Sequence, residues 1–171
     1  MKKLLVVVDM QKDFVDGSLG TKEAVEIVAN VVEKVKDARE EETDIVFTRD
    51  THPADYLRTQ EGQKLPVEHC IQGTSGWEIV DVLKPYAEKI MDKPTFGSTE
   101  LMHFAEKRGY TDIELVGLCT DICEVSNALL LKAALPEARI SVDASCCAGD
   151  TPESHEAALA TMRMCQVEIR H

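Results

Sequence analysis

Short apolar runs rich in Val and Ile alternate along this chain with segments of helical periodicity. Several of these runs are apolar at consecutive positions, as strands covered on both faces are. Strands that alternate with helices form a mostly parallel sheet, because each helix returns the chain across a face of that sheet. Strands are predicted at 4–8, 44–48, 89–91, 113–117, 140–142 and 166–169.

Helices are predicted in the gaps between these strands. A helix over 22–41 places Val25, Val28, Val32 and Val35 on one apolar stripe. The 171 residues are therefore expected to form a single domain with a three-layer α/β/α, Rossmann-like fold and a six-stranded, mostly parallel sheet. The other helices are predicted over 76–83, Thr99–Arg108, 121–134 and Pro152–Met164, the last with Thr151 as its N-cap.

Charge and hydropathy exclude several classes of partner. The formal net charge of −12 argues against nucleic acid, because phosphate contact needs a basic face. No segment is long and apolar enough to span a bilayer, so no membrane partner is expected. The apolar run after Lys3 ends at Asp9 without a signal-peptide cleavage site. The six cysteines are therefore expected to be reduced thiols in the cytoplasm.

Polar and nucleophilic residues directly follow four of the predicted strands. In an open parallel sheet, ligands bind beyond the carboxyl ends of the strands, so these side chains should share one edge. A carboxylate, an ammonium group and a thiol at one edge can carry out nucleophilic chemistry. The residues are Asp9, Arg49, Asp50, Asp92, Lys93, Cys119 and Cys123.

Cys123 is the better candidate for a reactive thiol. Asp121 can cap the following helix, and Glu124 completes a capping-box pattern. Cys123 then lies in the first helical turn, where free N–H groups and the helix dipole stabilise a thiolate and lower the thiol pKa. The backbone N–H groups of Cys119 and Cys123 can together bind an oxyanion. A buried, unreactive cysteine at a helix start is the alternative interpretation.

Six stretches, spread over nearly the whole chain, form a specific pattern when taken together. They are "VVVDMQKDFVDGSL" (6–19), "FTRDTHPADY" (47–56), "LPVEHCIQGTSGWEI" (65–79), "DKPTFGST" (92–99), "GLCTDICEVSNALLLKA" (117–133) and "DASCCAGDTPESHEAAL" (143–159). In this order they resemble the isochorismatase-like cysteine hydrolases, and among these the nicotinamidases most of all.

The resemblance implies roles for individual residues. By this match Asp9 is the catalytic acid and base, Lys93 the catalytic lysine and Cys123 the nucleophile, while Asp13 is structural. It also implies a cis peptide bond between Leu118 and Cys119. The thiolate would attack an amide carbonyl, the N–H groups of Cys119 and Cys123 would hold the oxyanion, and water would hydrolyse the resulting thioester.

The resemblance also implies a metal. Asp50, His52 and His69 match the ligands of a divalent ion, expected to be Zn²⁺, that holds the pyridine nitrogen of nicotinamide. Without the resemblance, these three residues would be ordinary polar groups of a long loop. This chain lacks the aromatic residue that family members often carry before the second histidine, so Phe14 and Phe96 are expected to form the substrate wall instead.

The preferred hypothesis is a cysteine amidohydrolase that converts nicotinamide to nicotinate and ammonia. Another small amide, such as an N-carbamoyl or ureido compound, is the alternative substrate, and by family analogy a homo-oligomer is expected. A thiol redox sensor or a zinc-binding protein without turnover remains a second hypothesis, based on the Cys119/Cys123 pair. His155 shares a helical face with Leu159 and Met162 and is interpreted as a hydrogen-bonded packing residue.

Overall fold

The computed structural model describes residues 1–171 and contains one six-stranded sheet. The strand order is β3-β2-β1-β4-β5-β6, and every neighbouring pair is parallel, which confirms the predicted fold class. The strands are β1 (Lys3–Val8), β2 (Asp44–Asp50), β3 (Ile90–Lys93), β4 (Asp112–Leu118), β5 (Arg139–Ala148) and β6 (Glu168–Arg170).

Helices cover both faces of the sheet. They are α1 (Lys12–Val15), α2 (Lys22–Glu26), α3 (Val28–Glu40), α4 (Gln60–Lys64), α5 (Thr99–Arg108), α6 (Val125–Ala134) and α7 (Pro152–Met164). Successive side chains of a strand point to opposite faces, so Leu4 and Val6 pack in the core beneath α5, α6 and α7, whereas Leu5 and Val7 pack beneath α1, α2 and α3. None of the helices is long and apolar enough to cross a membrane.

The predicted helix over 22–41 is interrupted at Ile27, and its apolar stripe agrees with the prediction in part. As predicted, Val35 is buried and Val28 and Val32 are partly buried against the core, whereas Val25 is half exposed. Helical spacing alone does not decide which of two adjacent apolar rows lies deepest against the sheet. The fully buried row is Ala24, Ile27, Val31, Val35 and Ala38.

The helix predicted over 76–83 is also wrong. The backbone of this segment bonds to the chain after β1 instead of to itself: Lys12 N–H donates to Glu78 O, and Val80 N–H donates to Met10 O. These bonds hold the end of the long loop against the edge of the sheet where β1 ends. The N-cap predicted for α7 is confirmed, because Thr151 accepts a hydrogen bond from Ser154 N–H.

Strand β5 runs well past its predicted end at residue 142. Its register with β4 shifts between Leu115 and Gly117, and the extended part contains Cys146 and Cys147, both buried. Consecutive cysteines in a strand point to opposite faces, and these two belong to opposite core clusters.

The two central strands end where the order of the sheet reverses. The chain proceeds outward from β1 through β2 and β3, and from β4 through β5 and β6, so β1 and β4 flank the topological switch point. A Cβ at Gly117, whose φ is +128°, would lie 2.1 Å from Val8 O. Only glycine allows this approach, which brings Asp9 beside Cys119. The Leu118–Cys119 peptide bond is cis.

Candidate active site

Three side chains predicted to share one edge of the sheet meet around a single ammonium group. Lys93 Nζ lies 2.6 Å from Asp9 Oδ2 and 3.4 Å from Cys123 Sγ. It also lies 3.3 Å from Asp50 Oδ1. All four residues are buried, and Lys93 is the one ammonium group in contact with both carboxylates and the sulfur. The arrangement can transfer a proton between sulfur and carboxylate beside a fixed positive charge.

Asp9 is held by β2. Thr48 Oγ1 donates a 2.6 Å hydrogen bond to Asp9 Oδ1, and Asp9 N–H donates to Thr48 O. Asp9 Oδ2 forms a 2.6 Å ion pair with Lys93 Nζ and has no other partner. Asp9 Oδ2 is therefore available to accept the proton of a neighbouring thiol.

Burial and charge set the protonation states of this cluster. Burial raises the pKa of Asp9, and the charge of Asp50 raises it further against the opposing effect of Lys93. Burial lowers the pKa of Lys93, but Asp9, Cys123 and Asp50 outweigh it, so the net pKa is raised and the ammonium stays charged. Burial also raises the pKa of Asp50, but the hydrogen bond with His52 and the charge of Lys93 outweigh it, so the net pKa of Asp50 is lowered and Asp9 is the carboxylate that favours a proton.

The resting state of Cys123 differs from the sequence prediction. Burial raises the pKa of the Cys123 thiol well above its ordinary value, and the charge of Asp9 raises it further, while Lys93 lowers it only in part. The predicted lowering at a helix start is therefore wrong for the resting protein, because desolvation outweighs the helix dipole. A base has to remove the thiol proton during the reaction.

Cys123 lies in a π-helical turn, Thr120–Glu124, that precedes α6. The predicted capping box does not form. Asp121 instead accepts a 3.1 Å hydrogen bond from Asp150 N–H, and the carboxylate of Glu124 is fully buried without a hydrogen-bond partner. Since Cys119, before the turn, has no side-chain cap, the turn depends on contacts from neighbouring elements.

Asn127 provides one of these contacts. Its Nδ2 donates to Cys123 O at 2.8 Å and to Phe96 O at 3.2 Å, and its Oδ1 accepts from Ser98 N–H. The turn is thereby tied to the loop after β3. Cys119 N–H makes no backbone hydrogen bond, so it is free to bind an oxyanion. Burial raises the pKa of the Cys119 thiol to about 12, and this side chain stays neutral.

A second cluster of potential ligands lies next to the first. Asp50, His52, Glu61 and His69 each offer one atom within 4.8 Å of the others. His69 Nδ1 lies 2.8 Å from Val67 O and is fixed as a donor by it, which leaves Nε2 for a ligand. Two imidazoles and two carboxylates suit a divalent metal ion. The structure brings together the three residues expected from the sequence.

Glu61 is the member that sequence reasoning missed. Its Oε1 lies 3.6 Å from His52 Nε2 and 3.8 Å from His69 Nε2. A glutamate in the polar first turn of α4 carries no sequence signal for metal binding. Its position in the chain between His52 and His69 is the only feature that could have indicated it. α4 packs tightly against the preceding turn, since the missing side chain of Gly62 makes room for it: a Cβ there would lie 2.1 Å from Tyr56 O.

The aromatic surroundings agree in part with the prediction. Phe14 is buried, with its ring centroid 5.5 Å from that of His69. Tyr56, which was not predicted, lies 4.7 Å from His52 and 5.0 Å from His69 between ring centroids. Phe96 is 43% exposed after β3, next to the Asn127 contact. Phe14 therefore borders the ligand cluster, whereas Phe96 lies outside it.

The sulfur is only narrowly accessible. Cys123 is 4% exposed, so little of its surface is open to solvent. On one side of the site, Asp13 Oδ2 accepts a 2.8 Å hydrogen bond from Cys70 N–H and so fixes the loop next to His69.

Comparison with known proteins identifies the family of this chain. The sequence profile of the Isochorismatase domain matches residues 3–170. The chain is 28% identical to the nicotinamidase/pyrazinamidase of Mycobacterium tuberculosis over 98% of this chain and 97% of that one. It is 27% identical to a nicotinamidase of Saccharomyces cerevisiae over 74% and 80%.

A solved structure shows the same fold. The pyrazinamidase of Pyrococcus horikoshii in complex with zinc superposes with a TM-score of 0.86 at 28% identity, covering 99% of this chain and 98% of that one. The family resemblance expected from the sequence is confirmed. The chain belongs to the isochorismatase family of hydrolases, close to its nicotinamidases.

Proposed function

We propose that this protein is a cysteine amidohydrolase that converts nicotinamide to nicotinate and ammonia. The observation that carries the proposal is the contact of one buried ammonium group, Lys93 Nζ, with both the Asp9 carboxylate and the Cys123 sulfur. A base, a fixed cation and a nucleophile in contact are the components of covalent acyl transfer. The similarity to nicotinamidases supports the choice of substrate.

The residues divide the reaction as follows. Asp9 takes the proton of Cys123 as the sulfur attacks the amide carbonyl carbon, and the backbone N–H groups of Cys119 and Cys123 hold the oxyanion. Asp9 returns that proton to the departing nitrogen, which leaves as ammonia. The acyl group stays on Cys123 as a thioester. Asp9 then removes a proton from water as the water oxygen attacks the thioester carbon, and the C–S bond breaks to release the carboxylic acid. The departing sulfur of Cys123 takes the proton back from Asp9, which restores the resting thiol. Lys93 remains charged throughout and stabilises each anionic form.

The second cluster fits a divalent ion, for which we propose Zn²⁺. Asp50, His52, Glu61 and His69 would hold it, because oxygen and imidazole ligands within 4.8 Å suit that ion. When bound, the ion supplies a Lewis acid for a ring nitrogen of the substrate. The chain's own contribution is orientation: Val67 O fixes the tautomer of His69.

A panel of amides tests the substrate and the nucleophile. Nicotinamide, benzamide and N-carbamoylsarcosine would be assayed for ammonia release with the wild type, Cys123→Ala and Cys123→Ser. Benzamide has the same size and amide as nicotinamide but lacks the ring nitrogen, so we expect at least about 10-fold lower kcat/KM for it. Neither variant should turn over nicotinamide.

Three outcomes would contradict parts of this proposal. Turnover by Cys123→Ala would show that this sulfur is not the nucleophile. Equal rates with benzamide and nicotinamide would show that the protein does not recognise the ring nitrogen. N-carbamoylsarcosine as the best substrate would keep the chemistry and replace nicotinamide by an N-carbamoyl compound.

We also propose that the protein functions in the cytoplasm as a homo-oligomer. All six cysteines are free thiols, as a reducing compartment would keep them. Cell fractionation and multi-angle light scattering test the two statements, and a monomeric mass at micromolar concentration would contradict the second.

A further inference from the structure

The turn that carries the nucleophile is fixed from the side of α7 by a contact that the proposed chemistry does not use. Thr120 Oγ1 lies 2.7 Å from His155 Nδ1, within hydrogen-bond distance. Thr120 is fully buried, and its hydroxyl makes no other hydrogen bond. A buried hydroxyl with a single partner depends on that partner for its orientation.

Thr120 lies at a sensitive position in the turn. It follows Cys119 directly, and its carbonyl oxygen accepts a hydrogen bond from Val125 N–H, which closes the π-helical turn around Cys123. The two N–H groups proposed for the oxyanion, those of Cys119 and Cys123, therefore lie on either side of Thr120. A shift of Thr120 changes the direction of both donors.

His155 is itself held firmly at its end of the contact. A Cβ at Gly149 would lie 2.9 Å from His155 N and 2.9 Å from its Cβ, so the end of β5 presses directly against the first turn of α7. Asp150 N–H also donates to Asp121 at 3.1 Å, a second link between this region and the turn. His155 thus connects a rigid helix start to the turn.

We infer that His155 is a positioning residue for the oxyanion site, acting through the hydroxyl of Thr120. This inference rests on the proposed amidohydrolase function. It goes beyond the packing role expected from the sequence, because it assigns the histidine an effect on the rate of the chemical step. Donors that bind an oxyanion act in the transition state, so their misalignment lowers kcat more than it raises KM.

Matched pairs of variants separate this role from simple packing. Thr120→Val removes the hydroxyl at constant shape, and Thr120→Ser keeps it. His155→Leu removes the polar contact, and His155→Asn keeps a polar atom near the place of Nδ1. We expect Thr120→Val and His155→Leu to lower kcat about 10-fold, less than the loss of a whole oxyanion donor. Thr120→Ser and His155→Asn should stay within about threefold of the wild type.

A double variant and an alkylation assay complete the test. Thr120→Val/His155→Leu should be no slower than the worse single variant, because both changes break one contact. The rate of Cys123 alkylation by iodoacetamide should not change, since alkylation forms no oxyanion. Alkylation is read at Cys123 by peptide mass spectrometry, because the exposed thiol of Cys165 also reacts. The fraction of folded protein is measured separately by circular dichroism, so kcat can be expressed per folded site that carries a reactive Cys123.

The outcomes distinguish this inference from the proposed function. An active wild type whose Thr120→Val and His155→Leu variants keep full kcat per reactive thiol overturns the positioning role and leaves the amidase intact. A lower melting temperature with unchanged kcat per thiol also overturns it, in favour of packing. A wild type that releases no ammonia from any amide overturns both.

Discussion

At the scale of single residues, the site is defined by the number of charges around one cation. Lys93 serves Asp9, Asp50 and Cys123 at once, and none of these groups is exposed to water. Breaking a buried ion pair by removing one partner leaves an uncompensated charge, which costs more than the pair contributed. We therefore expect the stability of this protein and its proposed chemistry to depend on the same ammonium group.

Replacing Lys93 by Met should destabilise the fold and abolish activity. We expect a loss of about 3–5 kcal/mol in the free energy of unfolding at pH 7, because Asp9 then has no cation and Asp50 keeps only its contacts with His52 and His69. Urea denaturation measures the loss. The control is Asp9→Asn/Lys93→Met, which removes the stranded charge of Asp9 and should recover part of the stability without activity. Equal urea midpoints for wild type and Lys93→Met would contradict this account.

Glu124 makes the stability of the protein depend on pH. Burial raises its pKa well above the ordinary 4.5, and the charge of Asp9 adds to this. Because the folded protein holds this proton more tightly than the unfolded chain, the contribution is complete below pH 4.5 and is lost as the pH rises towards the raised pKa. In that window the unfolding free energy falls by up to about 1.4 kcal/mol per pH unit.

The variant Glu124→Gln isolates this effect. It keeps the shape of the side chain and has no proton to lose, so its stability relative to the wild type should increase steadily between pH 5 and pH 8. Urea midpoints at several pH values in that range measure the difference. A constant difference across the range would show that Glu124 is ionised in the folded protein and would contradict the prediction.

At the scale of elements, the site depends on how closely β1 and β4 approach. Gly117→Ala would place a methyl group 2.1 Å from Val8 O at a φ of +128°. We expect a loss of more than about 3 kcal/mol, because the two strands must separate or the backbone must take a strained conformation. Gly109→Ala is the control: its φ is +67°, but no atom lies within 4 Å, and it should cost only about 1–2 kcal/mol.

Thermal or urea unfolding of the two alanine variants provides the comparison. Similar losses at both glycines would mean that only the positive φ matters and that the close approach to Val8 does not. A well-folded Gly117→Ala protein with wild-type activity would show that Asp9 and Cys119 do not need this spacing.

The sequence predicted the elements better than it predicted their orientation. Strand positions and α7 with its Thr151 cap followed from apolar runs and capping chemistry, both of which are local. The burial of Ala24 instead of Val25 could not be predicted in this way, because it depends on which row of helical side chains faces the sheet. The bonds between 76–80 and 10–12 are also tertiary and leave no periodic trace.

The candidate site also has features that the sequence could predict and features that depend on tertiary packing. Residue type and strand ends placed Asp9, Lys93 and Cys123 together, because the carboxyl ends of parallel strands meet at one edge. The resting protonation of the thiol could not be predicted, since it depends on desolvation by the whole core. The place of Glu61 among the candidate ligands could not be predicted either, because it depends on the packing of Gly62 against the backbone of Tyr56.

At the scale of the whole molecule, binding of a metal ion should stabilise the entire fold. The four candidate ligands are spread over residues 50–69, and they converge only in the folded chain. Free Zn²⁺ at 100 times its Kd should therefore raise the unfolding free energy by about 2.7 kcal/mol. Residues 1–171 are proposed to form one domain, so heating should give one cooperative transition whose midpoint rises with zinc.

Differential scanning calorimetry with a zinc series and with a chelator measures this shift. His52→Ala and His69→Ala should abolish it, whereas Cys123→Ala should retain it because that sulfur is not among the ligands. An equal shift in the histidine variants would place the ion elsewhere, and two separate transitions would contradict the single domain.

One carboxylate connects the two halves of the site. Asp50 directs Oδ1 to Lys93, at 3.3 Å, and Oδ2 to His52, at 2.9 Å. An ion that draws on this carboxylate leaves the Lys93 charge less balanced on that side, and so strengthens its pull on the sulfur. Iodoacetamide should then react faster with Cys123 when zinc is loaded than after chelation, and this difference should disappear in Asp50→Asn. The thiol would thus act as a built-in reporter of metal loading, readable without any substrate.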